Sequence, residues 1–293
     1  MAEQSHPAQN KVQRSLPAHI QAQLASAGRD TDTGGQLWEG RNLGEGTSHT
    51  HLFPNDDGTT QPQVQQAFAD FIAGRITEAQ VVDALRDSRV FAPVVAKVSH
   101  SVITEQGLVA DKEADMALVS IQAPDGRKAL PLFTDAGYLT QWHEQARPVA
   151  AEMRKAALSA VEDDNQLLVI NPGQDLTFVV RRPALWALAK AEPWTPSYQD
   201  PRVLTLVGEL VSTLPEVVDV HIQPGQGVAT TLGSGQQLDG GGAGPELKIV
   251  LVLVPGMNQE QLHQTIGVFQ QRLAAQRELS ELIDSVQLSL ASA

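Results

Sequence analysis

The sequence predicts an α+β fold: two α+β domains, each a small mostly antiparallel sheet with helices packed on it, plus a disordered N-terminal tail. Three observations lead there. Two apolar runs, Met116–Gln122 and Lys128–Phe133, flank Ala-Pro-Asp-Gly-Arg. Pro124 presets φ there, Asp125 can hydrogen-bond its own backbone, and Gly126 accepts the left-handed position, so the stretch is a β-hairpin. Elsewhere the apolar spacing switches between helical and alternating periods. Finally, EPWTPSYQDP (192–201) carries three prolines and marks a boundary. The expected division is a tail over 1–36, a first α+β domain over 37–200 and a second over 201–293.

The elements follow in order. Residues 1 to about 60 are polar and aperiodic and bury too little apolar surface to offset ordering entropy; the Leu37-Trp38 pair is expected to dock on the folded body. Val64, Phe68, Phe71 and Ile72 share a helical face that stops near Gly74. Thr77 caps a second helix, with Gln80 at the capping-box position. RVFAPVVA (89–96) is a strand, and Pro93, lacking an N–H, places it at an edge or a bulge. Thr134 or Asp135 caps a short helix with Leu139 and Trp142, and Pro148 opens another. Leu167–Asn171 and Leu176–Arg182 form a second hairpin, after which Pro183 starts PALWALAK.

Beyond the boundary, Val203, Val207, Leu210 and Leu214 form a helical stripe. Val218, Val220 and Ile222 alternate as a strand, while Glu246–Val254 is apolar enough for burial on both faces. Asn258 caps a long helix, Ser285–Leu290 closes as a strand, and Gly225–Gly244 is expected to be a floppy hairpin loop. The order αββαβ implies a three-stranded sheet with helices on one face.

Charge and composition narrow the function. The net charge of −13 is spread as −3 over residues 1–62, −5 over 63–200 and −5 over 201–293. No third is basic, which argues against nucleic acid or anionic lipid as partner. Zero cysteines exclude thiolate metal sites and Cys nucleophiles and fit a reducing cytoplasm. The start lacks a signal-peptide apolar core, and the longest apolar run, Ile249–Val254, is far short of the ~20 residues of a membrane span.

Candidate chemistry is sparse. His49 and His51, with Asp56 and Asp57 nearby, are one His-x-His pair, which fixes no metal geometry; no metal and no cofactor are expected. The glycines of 225–244 lead to a strand, with no Lys placed for a phosphate loop. Ser88 and His100 allow a hydrolase to be drawn, but no nucleophile elbow surrounds them. Asp87 and Arg89 are more simply an ion pair or loop clamp. The best ligand-like cluster is Arg181 and Arg182 with Trp186 and Trp194: paired guanidiniums can hold a carboxylate, and indoles can wall a pocket. Its alternative is arginine stacked on tryptophan to pin the domain boundary.

LWEGRNL (37–43), NDDGTTQP (55–62), VVDALRDSRVFAPVVA (81–96), ADMALVSIQAPDGRKALPLFT (114–134), WHEQARPV (142–149) and FVVRRPALWALAKAEPWTPSYQDP (178–201) together resemble the SseB family. These proteins carry the enhanced serine sensitivity N-terminal domain, here in the form seen in actinobacteria. The resemblance spans roughly 37–201, and residues beyond it are similar in pattern only. It implies a cytoplasmic α+β protein without established catalytic activity, and it supplies no catalytic residues. The resulting expectation is a non-catalytic binding or regulatory protein tied to amino-acid (serine) metabolism, with an unknown small-molecule or protein partner. The rivals are a hydrolase of unrecognised class and a protein–protein adaptor using an exposed sheet edge.

Overall fold

A computed structural model describes Phe53 and residues 56–97, 102–103, 109–110 and 115–293. The expected tail, Trp38, the His49/His51 pair and His100 lie outside the described residues. Helix α1 (Pro62–Ile72) starts on a proline and buries Val64, Ala67 and Phe71. Helix α2 (Glu78–Arg86) follows the predicted cap: Thr77 N donates to Gln80 Oε1 at 2.9 Å. This helix buries Val81, Val82 and Leu85 and, less expectedly, Glu78.

Strand β1 (Arg89–Lys97) comes next, then the short antiparallel pair β2 (Val102–Ile103) and β3 (Val109–Ala110). The first apolar run of the predicted hairpin divides. Its start, β4 (Asp115–Leu118), pairs with β1, and its end, β5 (Ile121–Gln122), pairs with β6 (Lys128–Leu132). The turn between β5 and β6 is the one the residues demand. Gly126 has φ +86°, and Asp125 Oδ1 accepts from Arg127 N at 3.1 Å. Helix α3 (Ala136–Trp142) is capped by Asp135, which accepts from Gly137 N.

Pro148 does not open a helix. It lies in strand β7 (Arg147–Glu152), and helix α4 begins only at Met153 (Met153–Glu162). Its partner strand β1 is not at an edge either: the sheet order is β4-β1-β7. Proline is tolerated here because Pro93 lies opposite Pro148. Phe91 N and O bond to Phe133, on the side away from β7, and Pro93 O accepts from Val119 N. Pro93 therefore turns its backbone away from β7, and this rung of the ladder requires no donor from either proline.

Strands β8 (Leu167–Ile170) and β9 (Phe178–Val180) complete a second sheet, ordered β5-β6-β8-β9, in which β6 and β8 run parallel. The Phe91–Phe133 bridge joins the two sheets. Helix α5 (Arg182–Lys190), with proline in its first turn, packs on α4. Met153, Ala157, Leu130, Leu168, Leu185 and Leu188 are all fully buried around these elements. The scarcity of aromatics is thus met by aliphatic packing.

Helix α6 (Pro201–Val211) is capped by Asp200, whose carboxylate accepts from Arg202 N. Strands β10 (Val217–Pro224), β13 (Leu247–Leu253) and β14 (Val286–Ser292) form a sheet of order β10-β13-β14, with β13 and β14 parallel. Helices α7 (Gln259–Ala275) and α8 (Arg277–Leu282) contribute Phe269 and Leu279 to a core shared with Val203, Val207, Ile249 and Leu251. The Asn258–Gln261 capping box at α7 is present as predicted. Strand β13 is not buried on both faces: Leu247, Ile249, Leu251 and Leu253 are buried, while Lys248, Val250 and Val252 are partly exposed. Helices cover only one face, and the valines on the other concealed the alternation in the sequence.

The glycine-rich stretch also differs from expectation. It builds an antiparallel pair, β11 (Ala229–Thr231) and β12 (Gln237–Gly241), against the first half of the chain. A Cβ at Gly227 would stand 2.1 Å from Gly244 Cα, and one at Gly241 (φ +68°) would stand 2.5 Å from the Phe178 ring. Both glycines serve close approach. All the described residues belong to one compact unit, 47–293.

Candidate functional site

Strand β9 runs almost directly into helix α5, and the two predicted arginines occupy that junction. Arg181 is the extended residue before the helix and Arg182 its first residue, so their side chains diverge. Arg181 is 1% exposed. Its Nη2 donates to the carbonyls of Gly227 at 2.7 Å and Gly244 at 3.4 Å, and its Nη1 lies 4.0 Å from Glu78 Oε2. Arg182 stacks over Trp186, 5.4 Å from the ring centre, and donates to the carbonyls of Ser280 and Ile283. Arg182 and Trp186 are therefore together, while Arg181 points elsewhere. No hydrogen bond or ring contact among the described residues joins Trp194 to the other three.

Around Arg181 the chain collects charges that sequence reasoning missed. Glu78, at the start of α2, accepts from Tyr198 Oη at 2.9 Å and from Gly241 N at 2.8 Å. Glu246, fully buried just before β13, accepts from Ser197 N and Asp284 N through its two oxygens. Arg127, from the β5–β6 turn, holds buried Asp284 with two contacts of 2.8 Å. The cluster thus joins α2, the β5–β6 turn, the β9–α5 junction, the 192–200 loop, the glycine hairpin and the start of both β13 and β14. Of this cluster the sequence singles out only Arg181; Glu78 and Glu246 meet partners far away along the chain and carry no local signal of it.

Burial is the first influence on the titration of Tyr198, Glu246 and Arg127. It pushes the Tyr198 hydroxyl well above its usual range, and the Glu78 carboxylate adds to that shift. Burial also raises the Glu246 carboxyl above 4.5, against the pull of the Asp284 and Ser197 N–H groups and of Arg181. For Arg127 burial opposes the charge, but Asp284 outweighs it and the guanidinium is raised. A carboxyl whose folded pKa is raised binds protons more tightly when folded. Its stabilising contribution is complete below about 4.5 and is lost as pH rises through the folded value. The stability gap between wild type and Glu246→Gln should therefore narrow as pH climbs from 4.5 towards neutrality, measured by chemical denaturation at stepped pH. A gap independent of pH would show that Glu246 is not raised.

A second buried guanidinium organises the other end of the first half. Arg89 donates to Asp56 Oδ1 at 2.7 Å and Thr134 O at 2.6 Å, and lies 4.1 Å from the Phe91 ring centre. It is a loop clamp, with Asp56 rather than the neighbouring Asp87 as its hydrogen-bonded partner. Ser88 is buried and donates to Leu85 O at 2.7 Å. Among the described residues no group of three or more His, Asp or Glu side chains is placed to hold a metal ion, and no helix is long and apolar enough to cross a membrane.

The molecule is thus an α+β protein whose β5-β6-β8-β9 sheet is stapled to a further α/β layer by Arg127 and the buried Arg181. Residues 64–187 match the model of the SseB protein N-terminal domain. The matched segment holds Glu78, Arg127, Arg181, Arg182 and Trp186 and stops short of Trp194, Tyr198 and Glu246. Neither the curated proteins nor the solved structures contain a match to the chain.

Proposed function

We propose that this chain acts by binding rather than by chemical turnover, and that its ligand is a small polar molecule of amino-acid type held at the Arg181 centre. One observation carries the reading. Arg181 and Ser197 are each 1% exposed, yet Arg181 Nε, Arg181 Nη1 and Ser197 Oγ find no hydrogen-bond partner among the described residues. Buried donors are ordinarily satisfied, and exceptions call for an explanation. These donors lie in a cluster with two carboxylates, Glu78 and Glu246. A zwitterion suits such a place: its carboxylate answers the guanidinium and its ammonium answers the glutamates. Trp186 is stacked by Arg182, and neither it nor Trp194 is given a part at the Arg181 centre in this reading. Regulation of amino-acid metabolism in the cytoplasm, and the actinobacterial form of the family, belong to the same proposal.

The test is a thermal-shift series on the full chain with single amino acids and nucleotides. A ligand at ~100 times its Kd should add about 2.7 kcal/mol. Ser197→Ala should keep the fold and lose the response. The reading fails if no amino acid shifts the melting temperature or if Ser197→Ala responds like wild type. The hydrolase alternative has less support, because the Ser88 hydroxyl is buried and committed to a helix-end carbonyl. Ser88→Ala is expected to cost about 1 kcal/mol of stability and to leave any ester or phosphate hydrolysis unchanged. Loss of a measurable hydrolysis in that variant would favour the enzyme instead.

A further inference from the structure

The two outer strands of the C-terminal sheet are treated very differently. On β10, Gly225 N donates to Glu246 O, which makes Pro224–Leu247 a wide rung. By alternation, Val220 and Ile222 also aim their backbone groups outward. That edge is closed off. Asp219 Oδ1 takes the Val220 N–H at 2.7 Å, Pro224 has no N–H, and a register shift falls between Val217 and Asp219. Bulges, prolines and charges are the usual protections of a strand edge.

Strand β14 has none of these. Leu247 N donates to Ser285 O and Ala293 N to Leu253 O, so the odd-numbered residues face β13. Val286, Leu288, Leu290 and Ser292 therefore direct their N–H and C=O groups outward, and no partner for them occurs among the described residues. The strand Val-Gln-Leu-Ser-Leu-Ala-Ser has no charge, proline or glycine. Val286 and Leu290, in register with core residues Leu247 and Leu251, remain 36% and 40% exposed.

We propose that β14 pairs antiparallel with β14 of a second copy of this chain, about a two-fold axis at Ser289, to make one continuous sheet. The occupant is argued from self-complementarity. Centring on Ser289 sets Leu288 against Leu290 of the other copy and Val286 against Ser292, all on the core face. Gln287 then meets Ala291, and Ser289 meets itself, on the open face. Every outward N–H finds an outward C=O, because the even residues form the hydrogen-bonded rungs. A chain of net charge −13 repels its copies in general, so a like-for-like contact is favoured at an uncharged edge. An isologous pairing also closes the edge, whereas head-to-tail addition would propagate.

The chain contains no cysteine, which makes the register testable with single thiols. Ser289 forms a non-hydrogen-bonded rung with itself, where Cα atoms lie ~4.5 Å apart, within disulfide reach. Ser289→Cys should yield a covalent dimer under mild oxidation, whereas Gln287→Cys should not. Sedimentation of the wild-type chain should show a dimer at micromolar concentration. Leu290→Pro removes only an outward N–H and should give a monomer with unchanged melting behaviour at high dilution; Leu290→Lys is the second variant should proline disturb the strand. A wild-type monomer throughout, equal cross-linking of both thiol variants, or a dimer that survives both Leu290 substitutions would overturn the proposal.

Discussion

Replacing Arg181 by Met is expected to remove about 3–5 kcal/mol of folding stability, the scale for breaking a buried ion pair from one side. The guanidinium is the positive charge between Glu78 and Glu246 and also bonds the carbonyls of Gly227 and Gly244. Methionine fills a similar volume and answers none of these groups. Urea titration of the two proteins measures the loss. Adding Glu78→Gln should restore part of it, because one uncompensated carboxylate is then neutral. A loss below about 1 kcal/mol would place the contribution of Arg181 in the range of surface pairs and remove the basis for treating the centre as a desolvated site. Arg182→Ala, at a half-buried staple, should be milder.

The second large effect concerns the division of the chain. The sequence suggests that residues up to 200 can fold without the remainder. The seam leads to the opposite expectation. A fragment ending at 200 leaves Arg127 without Asp284, Arg181 without its two glycine carbonyls, and Arg182 without those of Ser280 and Ile283. It also uncovers the Phe178 ring where Gly241 rests on it. Residues 47–200 expressed alone should show helical circular dichroism with a broad, early melting transition. A sharp transition within a few degrees of the full chain would mean that the seam adds little and that the halves are independent.

What was legible in the sequence was local. Thr77 with Gln80, Asn258 with Gln261, and Pro124-Asp125-Gly126 each act within four residues, so their caps and turn could be read directly. The alternation between helix and strand likewise identified most elements. Pro93 and Pro148 misled because each was judged alone; opposite one another they share a rung that needs no donor. Valine on both faces of β13 hid its open side. The glycines of 225–244 suggested looseness where they meet a need for contact between backbones. For the candidate site, Arg181 and Arg182 stood out, but nothing near them announced Glu78, Tyr198 or Glu246. Those partners are fixed by tertiary packing across the length of the chain.

That separation has a kinetic consequence. The contact between Gly241 N and Glu78 spans 163 residues, and that between Arg127 and Asp284 spans 157. Closing loops of this size consumes chain entropy before any contact is made. On a ribosome, Glu78 and Arg181 emerge long before the hairpin that covers them. The seam should therefore form on the downhill side of the folding barrier, so that weakening it speeds unfolding and barely slows refolding. Stopped-flow measurements on Arg127→Met would show this as a shift of the unfolding limb alone; a matching drop in the refolding rate would instead place the seam in the nucleus. A protein assembled in this order gains its resistance to opening from its last-formed contacts, and the glycine hairpin serves as the latch.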